Sequence, residues 1–210
     1  PPFDYGSEVY AADGGVVKAG GLSWQTSYLQ AWNIAVEKKQ PLFLDFTGVT
    51  CVNCRKMEYR VFPDDSVKQL LAQVARAELW VDKPPFGDWN SKLEVERFQF
   101  AAQPYYVVLD PRDDSVLETK DGYDPDPAIF AAFLQSALTR YAERTPSAMP
   151  AGGAWHERNP FPADREQFHV IWIVSMAILA GVVGLLLWLI VALVRQERSK
   201  RREDAELAAA

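Results

Sequence analysis

The two cysteines of this chain, Cys51 and Cys54, lie where a strand pattern gives way to a helix pattern. The preceding run, residues 42–46 (LFLDF), is almost wholly apolar, which suits a strand buried on both faces. Residues 47–50 then form a turn, and Cys51 opens a helix that runs to about Tyr59. Two cysteines this close cannot form a framework of several disulfides, which needs more pairs at longer spacing. This junction therefore favours a fold in which a strand leads directly into a helix that carries the cysteine pair.

The remaining patterns alternate between helices and strands. Helices are predicted over residues 22–39 (with Ser23 as N-cap), 66–75, 92–98 and 126–141, strands over 77–81, 105–109 and 116–120, and a loop over 82–91. Such an order indicates an α/β sandwich in which helices flank a central mixed sheet. We place this domain at residues 22–144. Before it, residues 1–21 are rich in Gly, Pro and Ala and are interpreted as an N-terminal tether.

A Cys-x-x-Cys pair at the start of a helix is suited to thiol–disulfide exchange. The first sulfur faces the helix N-terminus, where unpaired N–H groups and the helix dipole favour an anion and lower the thiol pKa. The thiolate is the attacking species, and the second cysteine, one turn later, can resolve a mixed disulfide. We therefore assign Cys51 as the nucleophile and Cys54 as the resolving thiol. Their redox-active disulfide takes the place of a cofactor.

The alternatives for this pair are two structural thiols or half of a metal site. Zinc usually takes four ligands, and the two histidines, His156 and His169, lie far along the chain, just before an apolar segment. Covalent haem attachment would need a histidine directly after Cys54, where Arg55 stands. We expect neither a metal nor a bound cofactor.

Two further residues are candidates for the active site. Asp45 lies six residues before Cys51 inside the apolar strand, where a carboxylate is costly unless it has a partner or a role. It could accept the proton of Cys54, and the alternative is an aspartate held by local backbone donors. Pro104 precedes a strand. A cis bond after Gln103 would expose backbone groups beside the sulfurs for substrate pairing, and an ordinary edge proline is the alternative.

A run of 25 residues without a charge, 170–194, follows a Pro/Gly-rich linker at residues 145–168. At about 1.5 Å per residue such a helix exceeds the roughly 30 Å hydrocarbon core of a bilayer. We predict a transmembrane helix over residues 169–195 and a charged tail over 196–210. Five basic residues follow the run and one arginine lies in the eight residues before it, so the positive-inside rule places the C-terminus in the cytoplasm.

Small residues line one face of this predicted span, namely Ala177, Ala180, Gly181 and Gly184. They would let a partner helix approach closely, although Ala and Gly are also common in membrane helices without that role. The net charge of −6 argues against nucleic acid as a partner, because phosphate binding needs clustered cations. The chain begins at Pro1, and we expect it to be a mature or truncated product.

Three segments, PLFLDFTGVTCVNCRKME, AAQPYYVVLD and DGYDPDPAIFAAFL, resemble the C-terminal thioredoxin-like domain of DsbD-type thiol:disulfide interchange proteins. The resemblance covers roughly residues 22–141. It implies that Cys51 and Cys54 are the shuttling pair, Asp45 the buried acid and Pro104 a cis-proline. It also implies a domain that takes electrons from a membrane bundle and passes them to periplasmic partners.

The chain departs from that family at two points. Thr50 stands where the family often has Trp, and a single apolar segment follows the domain where an electron-transferring bundle is expected, so electrons would come from another protein. We expect a single-pass protein of the bacterial inner (cytoplasmic) membrane with a periplasmic domain. It would exchange electrons with thiols and disulfides of exported or membrane proteins.

The alternative is a non-catalytic accessory or scaffold subunit of a larger membrane complex that uses the thioredoxin fold for docking. The small-residue face and the long linkers favour it. Residues 166–169 (EQFH) faintly resemble the entry to light-harvesting β polypeptides, so a photosynthetic or other bioenergetic complex is one host to consider. Stoichiometric co-purification from the native membrane would favour this alternative, and isolation as a lone protein would argue against it.

Overall fold

The computed structural model describes residues 10–18, 21–150, 155–158 and 176–191. Two compact units are present, one within residues 1–164 and one within 165–210. In the first, the strands are β1 (Val16–Val17), β2 (Ser23–Trp24), β3 (Leu42–Thr47), β4 (Ala75–Trp80), β5 (Tyr105–Asp110) and β6 (Ser115–Asp121). The α-helices are α1 (Tyr28–Lys38), α2 (Val52–Lys56), α3 (Asp65–Leu71), α4 (Gly87–Lys92) and α5 (Pro127–Glu143). Helix α2 continues as a π-helix over Met57–Val61, α4 continues as a π-helix over Leu93–Arg97, and Trp155–Arg158 forms a 3₁₀ turn.

The main sheet has four strands in the order β4-β3-β5-β6. β3 and β4 are parallel, and the other two neighbouring pairs are antiparallel. The parallel pair needs a crossover, which α2 and α3 supply. Every residue of β3 and β5 is buried, as their apolar sequences predict. The mixed sheet flanked by helices confirms the predicted sandwich.

Alternation along β3 divides its side chains between two hydrophobic cores. Phe43 joins the core under α3, α5 and the first π-helix, where Phe130 is fully buried against it. Leu42, Leu44 and Phe46 point the other way, into the core under α1 and the second π-helix. Asp45 lies two residues after Phe43, so its side chain points to the same face of the sheet. It therefore lies on the sheet face that the α2 segment covers.

The first helix begins later than predicted. Its N-cap is Ser27, whose hydroxyl accepts the N–H of Gln30, and the predicted cap Ser23 lies instead in β2. The reason is tertiary, because the Trp24 ring stacks on Phe62 with ring centroids 5.5 Å apart. That packing, together with pairing of Trp24 to Val16, keeps the backbone extended where the apolar spacing alone indicates a helix.

Three other boundaries also differ from the predictions. Part of the predicted tether, residues 10–18, contains β1 and pairs with β2. The predicted loop over 82–91 contains most of α4, because that helix starts directly after the prolines. Helix α3 ends at Leu71, since the N–H of Ala75 already donates to the carbonyl of Pro41 and starts β4.

The described part of the predicted linker contacts the domain at two points. The N–H of Ser147 donates to Asp113 at 2.7 Å, and the N–H of Trp155 donates to Asp114 at 3.1 Å. The Trp155 ring also lies 6.2 Å from that of Trp89, between ring centroids. After α5, Ser147 and Trp155 are therefore held against the surface of the sandwich.

In the second unit, residues 176–191 form a helix whose side chains are exposed. Among the helices that the structure describes, none combines the length and apolar character needed to cross a membrane. Residues 169–175 and 192–195 of the predicted span, and the predicted tail, lie outside the described residues. The four small residues Ala177, Ala180, Gly181 and Gly184 all lie on the described helix.

Candidate functional site

The two cysteines form a disulfide at the N-terminus of α2. Cys51 is the N-cap, with extended backbone, and its sulfur accepts the N–H of Cys54 at 3.1 Å. Cys51 is partly exposed, whereas Cys54 is only 2% exposed. The helix thus places one sulfur where a partner can reach it and the other behind it. An exposed first sulfur and a buried second sulfur are what a nucleophile and a resolving thiol require, and these roles stay predictions.

Asp82, which follows β4, holds the turn that leads into Cys51. The N–H of Val49 donates to both carboxylate oxygens of Asp82, at 3.1 and 2.9 Å. A Cβ added at Gly48 would come within 3.2 Å of the same carboxylate, which is tighter than an ordinary contact. Glycine therefore lets the turn approach Asp82 closely, and the turn fixes the position of Cys51.

A shallow pocket opens beside Cys51. It is lined by Gly48, Thr50, Cys51, Val52, Asn53, Asp82 and Gln103. The Gln103–Pro104 peptide bond is cis, and Gln103 brings this loop to the same pocket as Cys51. Val52, which lines this pocket, is 66% exposed, and Val49, between the lining residues Gly48 and Thr50, is 45% exposed. The surface around Cys51 therefore offers apolar side chains as well as polar groups to an approaching chain.

Gln103 is held from below by a buried carboxyl group. Its side-chain amide donates to Glu94 at 2.8 Å, and Glu94, in the second π-helix, is 1% exposed. The other Glu94 oxygen has no hydrogen-bond partner among the residues described here. Burial raises the pKa of Glu94 to about 7, with the hydrogen bond from Gln103 opposing that rise. The loop before Pro104 therefore rests on a group that titrates near neutral pH.

Asp45 lies in a cluster of three carboxyl groups that we call the acid cluster, namely Asp45, Glu58 and Glu78. One oxygen of each lies within 4.8 Å of the others. Asp45 is 2% exposed, and its Oδ1 finds no hydrogen-bond partner within the described part of the chain. Burial raises the pKa of Asp45 well above its usual value, and the charges of Glu58 and Glu78 raise it further. Burial likewise raises the pKa of Glu58 to about 7.

Among the described residues, two cations contact the acid cluster. Arg55 pairs with Glu58 at 2.8 Å, donates to Thr47 at 2.8 Å and stacks over the Trp80 ring. Lys18 contacts Glu78 and lies 3.8 Å from Glu58. Three carboxylates at this spacing are enough ligands to bind a metal ion. Here the ammonium and guanidinium groups already supply positive charge to two of the three.

The sequence patterns predict Cys51, Cys54, Asp45 and Pro104 as site residues, but they do not predict the residues that complete the site. Glu58 lies four residues after Cys54 on a helix, a spacing that brings side chains to one face. Glu78 is an acid within an apolar strand, the same signal that singled out Asp45, and the two are paired in register. Lys18 and Glu94 carry no local signal, because only the tertiary fold brings them to the site.

Comparison with known proteins finds a matching family model and several similar solved structures. Residues 23–111 match a family model described as thioredoxin-like. A thioredoxin from Thermus thermophilus is 21% identical, with 57% of this chain and 91% of that one covered and a TM-score of 0.48. The DsbH oxidoreductase is 23% identical, with coverages of 59% and 88% and a TM-score of 0.47. The C-terminal domain of Neisseria meningitidis DsbD, in its reduced form, is 19% identical, with coverages of 50% and 90% and a TM-score of 0.41.

No curated protein matches the sequence. The matched family segment contains Asp45, Cys51, Cys54 and Pro104. Cys51 and Cys54 are joined as a disulfide within it. The chain therefore contains a thioredoxin-like domain, and its Cys-x-x-Cys disulfide supports thiol–disulfide oxidoreductase activity.

Proposed function

We propose that this chain is a membrane-anchored, extracytoplasmic thiol–disulfide oxidoreductase that exchanges electrons with disulfides of exported or membrane proteins. The observation that carries the exchange chemistry is the unequal exposure of the two sulfurs. Cys51 opens onto the pocket beside Gln103, and Cys54 is buried beneath it. The uncharged run at residues 170–194 supports the anchor, and the basic residues after it support a periplasmic domain in a bacterial cytoplasmic membrane.

In the reductive direction, the reaction starts from the dithiol. The Cys51 thiolate attacks one sulfur of a partner disulfide, the partner S–S bond breaks, and the released partner thiolate takes up a proton. A mixed disulfide now joins Cys51 to the partner. The first-turn N–H groups of α2 favour the thiolate before attack, as the N–H of Cys54 does in donating to the Cys51 sulfur.

Resolution requires Cys54 to lose its proton. Its thiolate then attacks the Cys51 sulfur, the mixed disulfide breaks, and the second partner thiolate leaves and is protonated. Two electrons and two protons have moved to the partner, and Cys51 and Cys54 form the disulfide seen here. A second protein dithiol must reverse these steps on Cys51 to restore the reduced form.

Asp45 is the proposed acceptor of the Cys54 proton. It lies on the sheet face beneath the α2 segment, and its raised pKa brings it closer to that of a thiol. Proton transfer is most efficient between groups of similar pKa, directly or through one water. Asp45→Asn would leave Cys51 able to form the mixed disulfide while slowing its resolution.

Insulin reduction driven by dithiothreitol tests the exchange activity. The full chain in detergent should accelerate precipitation of reduced insulin, and Cys51→Ser should abolish the acceleration. Cys54→Ser should instead accumulate a covalent complex with insulin that dithiothreitol releases. A wild-type rate equal to that of Cys51→Ser would refute the catalytic proposal and leave the docking-subunit alternative.

The two cysteines also report the side of the membrane, because the chain contains only 2 cysteines. In intact spheroplasts treated with an impermeant phosphine, a membrane-impermeant maleimide should label the reduced pair. A variant with both cysteines replaced by serine should remain unlabelled. Labelling that appears only after the membrane is permeabilised would refute the periplasmic placement. Recovery of the chain in the soluble fraction after alkaline extraction would refute the anchor.

A further inference from the structure

The segment before the matched family region is bound to the domain through a tight turn and a strand. Asp13 accepts hydrogen bonds from the N–H of Gly15 and the hydroxyl of Ser23. A Cβ at Gly15 would lie 2.1 Å from the Ser23 hydroxyl, so no other residue fits there without rearrangement. β1 then pairs with β2, and the N–H of Lys18 donates to the carbonyl of Leu22 at 3.1 Å. These contacts fix the position from which the Lys18 side chain starts.

The Lys18 side chain points into the domain. It is only 19% exposed, its ammonium lies 5.5 Å from the centre of the Trp24 ring, and it contacts Glu78. Burial alone would lower the pKa of Lys18, but the negative charges of Glu78, Glu58 and Asp45 outweigh burial and raise it. Lys18 therefore stays charged beside the acid cluster.

The charges around the acid cluster come from every element packed on it. The N-terminal segment supplies Lys18, α2 supplies Arg55, and β3, the first π-helix and β4 each supply one acid of the cluster. β5 contributes the Tyr106 hydroxyl, and the Trp80 indole N–H donates to Glu78 at 2.9 Å. Within the part of the chain that the structure describes, two cations face three carboxyl groups, so one of these carboxyls lacks a compensating charge. Without Lys18 the number would be two.

We propose that Lys18 is a positioning residue of the dithiol site: its cation limits the acid cluster to a single proton, so that the cluster can still take up the proton of Cys54 through Asp45. The inference rests on the proposed function, because it assigns a role within the same exchange reaction. A buried carboxyl without a compensating charge takes up a proton rather than remain ionised. Without Lys18 the acid cluster would hold a second proton and would accept the proton of Cys54 less readily, so loss of Lys18 would delay thiol deprotonation to higher pH.

Two substitutions at the ion pair test this with opposite signs. Lys18→Met removes a cation and should raise the pH midpoint of dithiol alkylation by iodoacetamide by roughly 1 unit. Glu78→Gln removes an anion, leaves two cations against two carboxyls, and should lower the same midpoint by a similar amount. Lys18→Arg keeps the charge and should leave the midpoint unchanged. Lys92→Met is the matched control, since that lysine side chain is 56% exposed on α4.

The measurement uses the reduced full chain in detergent over a pH series, followed by mass spectrometry of the alkylated product. A structural role alone would change the yield of folded protein without moving the midpoint. Equal midpoints for wild type and Lys18→Met, or shifts of the same sign in Lys18→Met and Glu78→Gln, would overturn the inference. If Lys18→Met does not fold, the downward shift in Glu78→Gln and the unchanged value in Lys18→Arg still decide it.

Alkylation needs no partner protein, so this test is separate from the test of the proposed function. A dithiol that titrates as expected in a chain that never reduces insulin would refute the exchange activity and leave the role of Lys18 intact. If the wild-type chain reduces insulin but the midpoint of Lys18→Met does not move, the exchange activity stands and the role of Lys18 is refuted.

Discussion

Replacing Glu94 with glutamine should stabilise the domain at alkaline pH and leave it little changed at acidic pH. Glutamine keeps an oxygen that can accept the hydrogen bond from Gln103, but it cannot ionise. In wild type, burial raises the pKa of Glu94 from 4.5 to about 7. Between those values the folded state binds a proton that the unfolded state releases. The stability of wild type therefore falls as pH rises through this window.

The magnitude follows from the size of that interval. A difference from 4.5 to about 7 corresponds to about 3 kcal/mol, at about 1.4 kcal/mol for each pH unit. Glu94→Gln should therefore exceed wild type in free energy of unfolding by up to about 3 kcal/mol at pH 8; this figure already includes the hydrogen bond from Gln103, because that bond contributes to the folded-state pKa. At pH 4.5 Glu94 is protonated in folded wild type, so both proteins offer Gln103 a neutral acceptor and should differ little in stability.

Urea unfolding of the oxidised full chain in detergent, followed by tryptophan fluorescence at pH 4.5, 6 and 8, measures these differences. Glu96→Gln is the matched control. Its side chain lies on the same π-helix but is 54% exposed, and its substitution should change stability equally at every pH. A Glu94→Gln effect that does not vary with pH would show that Glu94 does not ionise within the window. The reasoning from burial would then be wrong.

Two more substitutions test the packing and the surface around α5. Phe130→Ala should destabilise the domain by about 3–5 kcal/mol in the same urea assay, because the fully buried ring packs on Tyr106 and Phe62 at centroid distances of 5.0 and 5.3 Å; a loss below about 1 kcal/mol would contradict that core. Asp113→Asn should lose less stability than wild type on acidification below pH 4. In wild type the hydrogen bond from Arg144 holds the pKa of Asp113 well below its usual value. The stabilisation that the ionised Asp113 contributes to the folded state is therefore lost as the acid is protonated, and asparagine has no such contribution to lose. Parallel acid titrations of the two proteins, monitored by circular dichroism, would refute this.

The central sheet could be predicted from sequence because its signals are local. β3 and β5 are short apolar runs bounded by turns, and their positions were predicted to within about a residue. Helix α5 was equally clear, since Asp126 caps it through the N–H of Ala128 and Pro127 occupies its first turn. In each of these segments the sequence signal lies within the strand or helix itself or at its ends.

The start of α1 and the π-helices were not predictable in the same way. Trp24 and Tyr28 fall at helical spacing, yet Trp24 is held in a strand by pairing with Val16 and by packing on Phe62. A π-helix needs one extra residue per turn, and no residue type in the sequence indicates where that residue is inserted. The same limit applies to the site. Cys51, Cys54 and Asp45 were found within ten consecutive residues, whereas Lys18 reaches the site only through contacts distant in sequence.

The position of Lys18 bears on how fragments of this protein are made and compared. Similarity to the thioredoxin-like family begins at residue 23, five residues after Lys18. A recombinant fragment that starts there would retain both cysteines and the whole four-stranded sheet, but Glu78 would lose its ammonium partner and β2 its neighbour. Redox potentials measured on such a fragment would then describe a different charge balance from that of the natural chain. Fragments intended for biochemistry should begin before Tyr10.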